Sequence, residues 1–222
     1  MPIFKIGKKI FYFAHVPKCG GSNVEVALMN SGVKLSFIDR QYWKKAPDKW
    51  GRSSPQHILS KQFYYLFDDK LFDEIFCVVR DPVNRFLSAY NHNRKRIGRN
   101  VSFDKFIKSI EKRKDYHSLK YDNHFVPASR IVPNNSKIFY LEDGLDSISY
   151  WLKEITDTDI DLSFDNRNTR DYNVHKSKKK INVFFKKIFF PQSPTLSDIG
   201  ESEINRIKSL YQEDYERFDF QR

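Results

Sequence analysis

The sequence predicts one α/β domain, residues 1–222, with a central parallel sheet flanked by helices. Short apolar runs rich in aromatic and β-branched residues occur at residues 10–16, 74–79 and 137–141. Each run stops at a turn and leads into a stretch of helical periodicity, the alternation that builds a parallel sheet. The size also fits: 222 residues, 40% hydrophobic, with 8 Gly and 9 Pro, suffice for one core and exclude collagen-like, low-complexity and wholly disordered chains. With 20 Phe and 12 Tyr, that core is expected to be built from rings.

The elements follow in order. The strand at 10–16 stops at Pro17 and enters the tight loop Lys18-Cys19-Gly20-Gly21-Ser22. A helix follows, capped by Ser22 or Asn23, with Val24, Ala27 and Leu28 at helical spacing until Asn30-Ser31-Gly32 ends it. Residues 39–60 hold Trp43, Trp50, Gly51 and Pro55 without a clean period and read as an irregular excursion over the sheet. The second strand, 74–79, breaks at Arg80-Asp81-Pro82 and leads to a helix over 83–94. The third, 137–141, passes through Glu142-Asp143-Gly144 into an amphipathic stretch, 145–155, with Ile148, Trp151, Leu152 and Ile155 on one face. Residues 165–194 carry the basic cluster Lys176, Lys178, Lys179 and Lys180 and read as a loop. A C-terminal helix over 202–218 places Ile204, Ile207, Leu210, Tyr211, Tyr215 and Phe218 on one face.

Charge narrows the partner. Lys and Arg total 39 against 28 Asp and Glu, and the formal +11 points to something anionic: nucleic acid, a phosphorylated cofactor, an acidic glycan or a membrane surface. The two cysteines, Cys19 and Cys77, are too few for a disulfide framework and suggest a reducing compartment. The apolar stretch 10–14 after Lys5, Lys8 and Lys9 is too short for a signal peptide, and no run reaches the length of a membrane span. A cytoplasmic location is expected.

Two motifs carry chemistry. Pro17-Lys18-Cys19-Gly20-Gly21-Ser22 lies between a strand end and a helix start, where glycines let backbone N–H groups turn toward an anion and the helix start adds positive potential. It departs from the G-x-x-x-x-G-K-[ST] loop of ATPases and GTPases, because Lys18 precedes the glycines. A plain Gly-Gly turn with a solvated lysine would give the same letters. In Arg80-Asp81-Pro82-Val83-Asn84-Arg85-Phe86-Leu87-Ser88-Ala89-Tyr90, an arginine stands at a strand end, with Arg85 and Ser88 one helical turn apart. A forked guanidinium and a hydroxyl suit a terminal phosphate; the alternative is a helix-start arginine in a surface ion pair.

Together the two motifs resemble the cofactor signatures of sulfotransferases that use 3′-phosphoadenosine 5′-phosphosulfate (PAPS), closest to the branch of heparan sulfate 2-O-sulfotransferase, other carbohydrate sulfotransferases and their bacterial relatives. Tyr121-Asp122-Asn123-His124-Phe125-Val126-Pro127 resembles that branch's mid-chain segment, with Ala128 where Gln is frequent, and residues 210–218 resemble its closing helix. The resemblance implies a P-loop-like sulfotransferase fold. It implies that Lys18, Cys19, Gly20, Gly21, Ser22 and Asn23 hold the 5′-phosphosulfate and that Arg80 and Ser88 hold the 3′-phosphate. It also implies that the late basic loop closes over the nucleotide, although a solvated charge run is the other reading of Lys176–Lys180. The product would be 3′,5′-ADP and the acceptor a hydroxyl, on a glycan, with no metal and no nucleic acid.

Sulfuryl transfer needs an in-line hydroxyl, cations on the departing phosphate and a base. Lys18 fits the leaving-group role. Of six histidines, His15, His57, His92, His117, His124 and His175, the resemblance points to His57 as the base. His124 is the second candidate, as base or acceptor contact; His15, ahead of the glycine loop, has an orientational reading, although a strand-end histidine is more often packed than catalytic. Two rivals stand beside this: a nucleotide or sugar kinase on a related scaffold, and a basic protein binding single-stranded nucleic acid.

Overall fold

The computed structural model describes residues 1–42, 53–113, 121–158, 160, 162–164 and 194–220. The excursion around Trp43 and Trp50, the basic cluster Lys176–Lys180, and His117 and His175 lie outside the described residues.

Strands β1 (Ile3–Ile6), β2 (Lys9–Ala14), β3 (Leu35–Ser36), β4 (Glu74–Val79) and β5 (Lys137–Tyr140) form one sheet in the order β3-β1-β2-β4-β5. The expected parallel sheet is therefore mixed. β2, β4 and β5 are parallel, but β1 runs antiparallel to both β2 and β3. Gly7 explains the addition: with Ile6 opposite Lys9, it is the first of two turn residues and adopts a left-handed φ of 57°, the chemistry of a two-residue hairpin. The hairpin partner β1 escaped notice because four residues are too few to show a period.

Helix α1 (Gly21–Asn30) starts at a cap on Gly20, φ 80°, and not at Ser22 or Asn23. The Gly20 carbonyl accepts the Asn23 and Val24 N–H groups, so the helix opens before either side chain can cap it. Next come α2 (Ser60–Leu66), α3 (Pro82–Ile97), α4 (Phe103–Arg113) and α5 (Asp146–Thr156). α3 has a strong start: Pro82 sits in the first turn and Asp81 Oδ1 accepts the Asn84 N–H at 2.9 Å. Arg94, Lys95 and Arg96 fill its last turn, where the helix dipole favours cations.

The expected single C-terminal helix is two: α6 (Glu201–Leu210) and α7 (Gln212–Arg217). The break falls at Tyr211, which is buried and donates its hydroxyl to the Phe125 carbonyl at 2.7 Å, an anchor that redirects the chain. Two ring-rich cores result. Phe4, Phe11, Phe13 and Phe76 pack beneath the sheet, with Trp151 of α5 against Phe76 at 5.3 Å. Phe86, Tyr90, Phe103, Phe106, Phe125 and Tyr211 pack between α3, α4 and α6. Among the described residues no helix is long and apolar enough to cross a membrane.

Candidate active site

β2 and β4 are parallel neighbours, with Ala14 paired to Cys77, so the segments leaving their carboxyl ends emerge side by side. The first is the glycine loop. Lys18 takes a left-handed φ of 70° and Gly20 one of 80°, turning the chain back into α1 within a few residues. No side chain caps α1, and the Gly21 and Ser22 N–H groups bond to nothing among the described residues. Two donors thus stand at the positive end of a helix. Ser22 is exposed, while Lys18, Gly20 and Asn23 are half-buried.

Two contacts require the glycines. A Cβ on Gly20 would lie 2.9 Å from Leu141, and one on Gly21 would lie 2.3 Å from the His15 ring. Cys19 turns inward: it is fully buried, its thiol faces the Pro17 carbonyl at 3.7 Å, and burial pushes its pKa up to about 12. Its part in holding an anion is therefore confined to the backbone.

The second segment begins at half-buried Arg80, whose charge, like that of Arg85, reaches Cys19 in the glycine loop. Asp81 next to it is held at three points: it caps α3, its N–H donates to Glu142 at 3.0 Å, and its Oδ2 accepts the Tyr215 hydroxyl at 3.0 Å. Ser88, two turns into α3, is half-buried. Arg85 is not in a surface ion pair. It is 1% exposed, donates to the Val126 carbonyl, lies 3.5 Å from Asp214 and sits over the Tyr211 ring. It ties α3 to the C-terminal helices.

His57 ends a short 3₁₀ turn, Pro55–His57. Its Nδ1 lies 2.8 Å from Asp122 Oδ2, and Asp122 also accepts the Ser54 N–H at 2.7 Å and the Ser54 hydroxyl at 2.8 Å. Asn123 completes the grip by donating to the His57 carbonyl at 2.7 Å. Asp122 and Asn123 both adopt left-handed backbone, φ 53° and 59°, a conformation that costs energy in non-glycine residues and is maintained by these contacts. Burial works to raise the Asp122 carboxyl, but the hydrogen bonds from His57 and Ser54 outweigh it and hold it well below the usual carboxylate range.

A carboxylate at Nδ1 fixes the hydrogen on that nitrogen and leaves the Nε2 lone pair of His57 free, the arrangement a general base needs. His124 is a different case. Its Nδ1 accepts from Asn93 at 2.9 Å, and burial with its histidine neighbours keeps it neutral, well below the ordinary imidazole range. Its ring lies 5.3 Å from His57 and 4.9 Å from His92, whose own pKa burial and the nearby Lys18 lower to about 4. His15 is packed, as its strand-end position suggested, but it is also paired with Glu25 at 2.6 Å and sits edge-on to His57 at 4.9 Å.

The structure thus brings Lys18, His57, His92 and His124 within electrostatic reach of one another. Sequence reasoning missed Asp122, Asn123 and Glu25, and the available signal was an acid and an amide directly before His124. Ligand atoms of His57, Asp122 and His124 lie within 4.8 Å of one another, a set that could hold a cation at the expense of the His57–Asp122 hydrogen bond.

Beyond the carboxyl ends of β2 and β4 stand a glycine loop with two open N–H donors and a strand-end arginine, groups that suit an anionic ligand. The chain matches the model of the sulfotransferase family over residues 3–221, nearly its whole length, and it belongs to that family. Comparisons with curated proteins and with solved structures return no match.

Proposed function

We propose that this sulfotransferase takes its sulfuryl group from PAPS and passes it to a hydroxyl of a carbohydrate, in the cytoplasm, on a P-loop-like α/β scaffold. The observation that carries the reading is that the two motifs leave adjacent parallel strands, with His57 edge-on to His15, which follows β2 ahead of the glycine loop. In this reading Lys18 to Asn23 receive the 5′-phosphosulfate, and Arg80 and Ser88 receive the 3′-phosphate. The donor supplies an activated sulfur; the acceptor oxygen attacks in line and the bond from sulfur to the phosphate oxygen breaks. His57 Nε2 takes the hydroxyl proton, Asp122 steadies the imidazolium that forms, and Lys18 stabilises charge on the departing phosphate. His124 contacts the acceptor or supports His57 from behind. No step requires a metal.

Thermal unfolding with nucleotides tests the donor. Saturating 3′,5′-ADP raises Tm by mass action, and 5′-ADP, lacking the 3′-phosphate, raises it much less. Arg80→Ala removes that difference while leaving the response to 5′-ADP. Equal responses from wild type to both nucleotides would refute the assignment of Arg80. Labelled PAPS offered to glycans, tyrosine peptides and small alcohols then identifies the acceptor class, and a positive confined to peptides would refute the carbohydrate reading.

A further inference from the structure

His15 and Glu25 take no part in the chemistry above, yet their contacts join its two halves. His15 follows β2 and is 6% exposed; Glu25, in α1, is 3% exposed. The carboxylate also lies 3.8 Å from Arg40, an exposed cation on its far oxygen. Burial works to raise the Glu25 carboxyl, but His15 and its hydrogen bond outweigh that and keep it ionised, while burial keeps His15 neutral. His15 therefore donates from Nδ1 to Glu25 Oε1 at 2.6 Å, which fixes the ring's orientation.

The fixed ring has neighbours on its other sides. Its Nε2–Cδ2 edge lies against Gly21, close enough that a Cβ there would be 2.3 Å from both atoms. Phe13 stacks on it at 5.5 Å and 21°. His57 meets it edge-on at 4.9 Å and 87°. One imidazole thus touches the glycine loop, the helix behind that loop and the histidine across from it.

We infer that His15 and Glu25 are a positioning pair, setting the distance between the glycine loop and His57 so that occupation of the loop is transmitted to the His57 ring. The inference rests on the proposed donor site. In-line transfer depends on sub-ångström placement of base against donor, and a ring packed on three sides and tethered on the fourth supplies it.

The test uses full-length protein labelled with ¹⁵N-histidine, 3′,5′-ADP as the probe, ring ¹⁵N shifts by NMR and Kd by calorimetry. In wild type, the His15 and His57 ring signals move together along one saturation curve. In Glu25→Gln, 3′,5′-ADP binds within roughly threefold of the wild-type Kd, but the His57 response is lost. A purely structural role would weaken folding and binding without uncoupling them. The pair is refuted if Glu25→Gln keeps the wild-type His57 response. It is also refuted, without recourse to any variant, if wild-type His15 stays unmoved while 3′,5′-ADP saturates. Failure of wild type to bind 3′,5′-ADP at all would bring down the donor site, and the pair with it.

Discussion

The Asp122 carboxylate accepts a hydrogen bond from His57 Nδ1 at 2.8 Å across 65 residues of sequence, and Ser54 donates to the same carboxylate twice. The strained backbone of Asp122 and Asn123 exists to hold the 53–57 segment in place, since every polar atom in that strained pair's side chains with a described bond reaches across to Ser54 or His57.

Asp122→Asn keeps the shape of the site but accepts either tautomer of His57. The transfer rate is expected to fall by about 10²-fold or more, the scale of a lost acid–base contribution. The Kd for 3′,5′-ADP stays close to wild type. Single-turnover kinetics with calorimetry check both, and a rate within a few-fold of wild type would remove Asp122 from the mechanism.

Acid should destabilise the fold in two stages. His92, His124 and His15 are held neutral in the fold, so the unfolded chain binds more protons below an ordinary imidazole pKa of about 6.5, and stability falls as pH drops from there; for His92 the loss is complete near pH 4. Asp122 and Glu25 have depressed values, so their contribution is complete above an ordinary carboxylate pKa of about 4 and is lost below it. Urea midpoints across pH 7 to 3 measure this. Stability that stays flat from pH 7 to 5 would contradict the neutral histidines.

Gly21→Ala drives a Cβ into the His15 ring. The expected cost is about 1–3 kcal/mol, typical of overpacking, together with loss of the 3′,5′-ADP response. His15→Ala in the same chain relieves the clash, so the double variant should be more stable than the two single losses added together. Additive losses in a double-mutant cycle would show that the contact does not limit the loop.

Asp214→Ala strips the C-terminal clamp. Asp214 is 1% exposed, accepts the Ala128 and Ser129 N–H groups at 2.9 and 2.8 Å, and lies against Arg85. Its removal leaves a buried guanidinium uncompensated, and a loss of about 3–5 kcal/mol is expected. Chemical denaturation that shows less than about 1 kcal/mol would mean that Arg85 finds water or another partner.

The half of the site proposed for the donor was legible because it is local. A glycine loop between strand and helix, and an arginine ahead of Pro82 at the next strand end, are contiguous runs whose backbone geometry follows from their own residues. The imidazole–carboxylate half was legible only as a choice among histidines, because residues 53–57 and 121–124 show no periodicity, and their pairing depends on hydrogen bonds between segments far apart in the chain.

By itself the sequence determined the strand–helix alternation, the ring-built core, and the places of Lys18 in a tight loop and Arg80 at a strand end, since period and turn chemistry act over a few residues. Only the tertiary structure decided that β1 joins antiparallel, that the last helix breaks at Tyr211, that Arg85 is a buried tie, and that Asp122 and Glu25 each hold a histidine. Those outcomes turn on which distant groups share a desolvated space, where an unpaired charge or donor is costly and each polar atom must find its partner from another part of the chain.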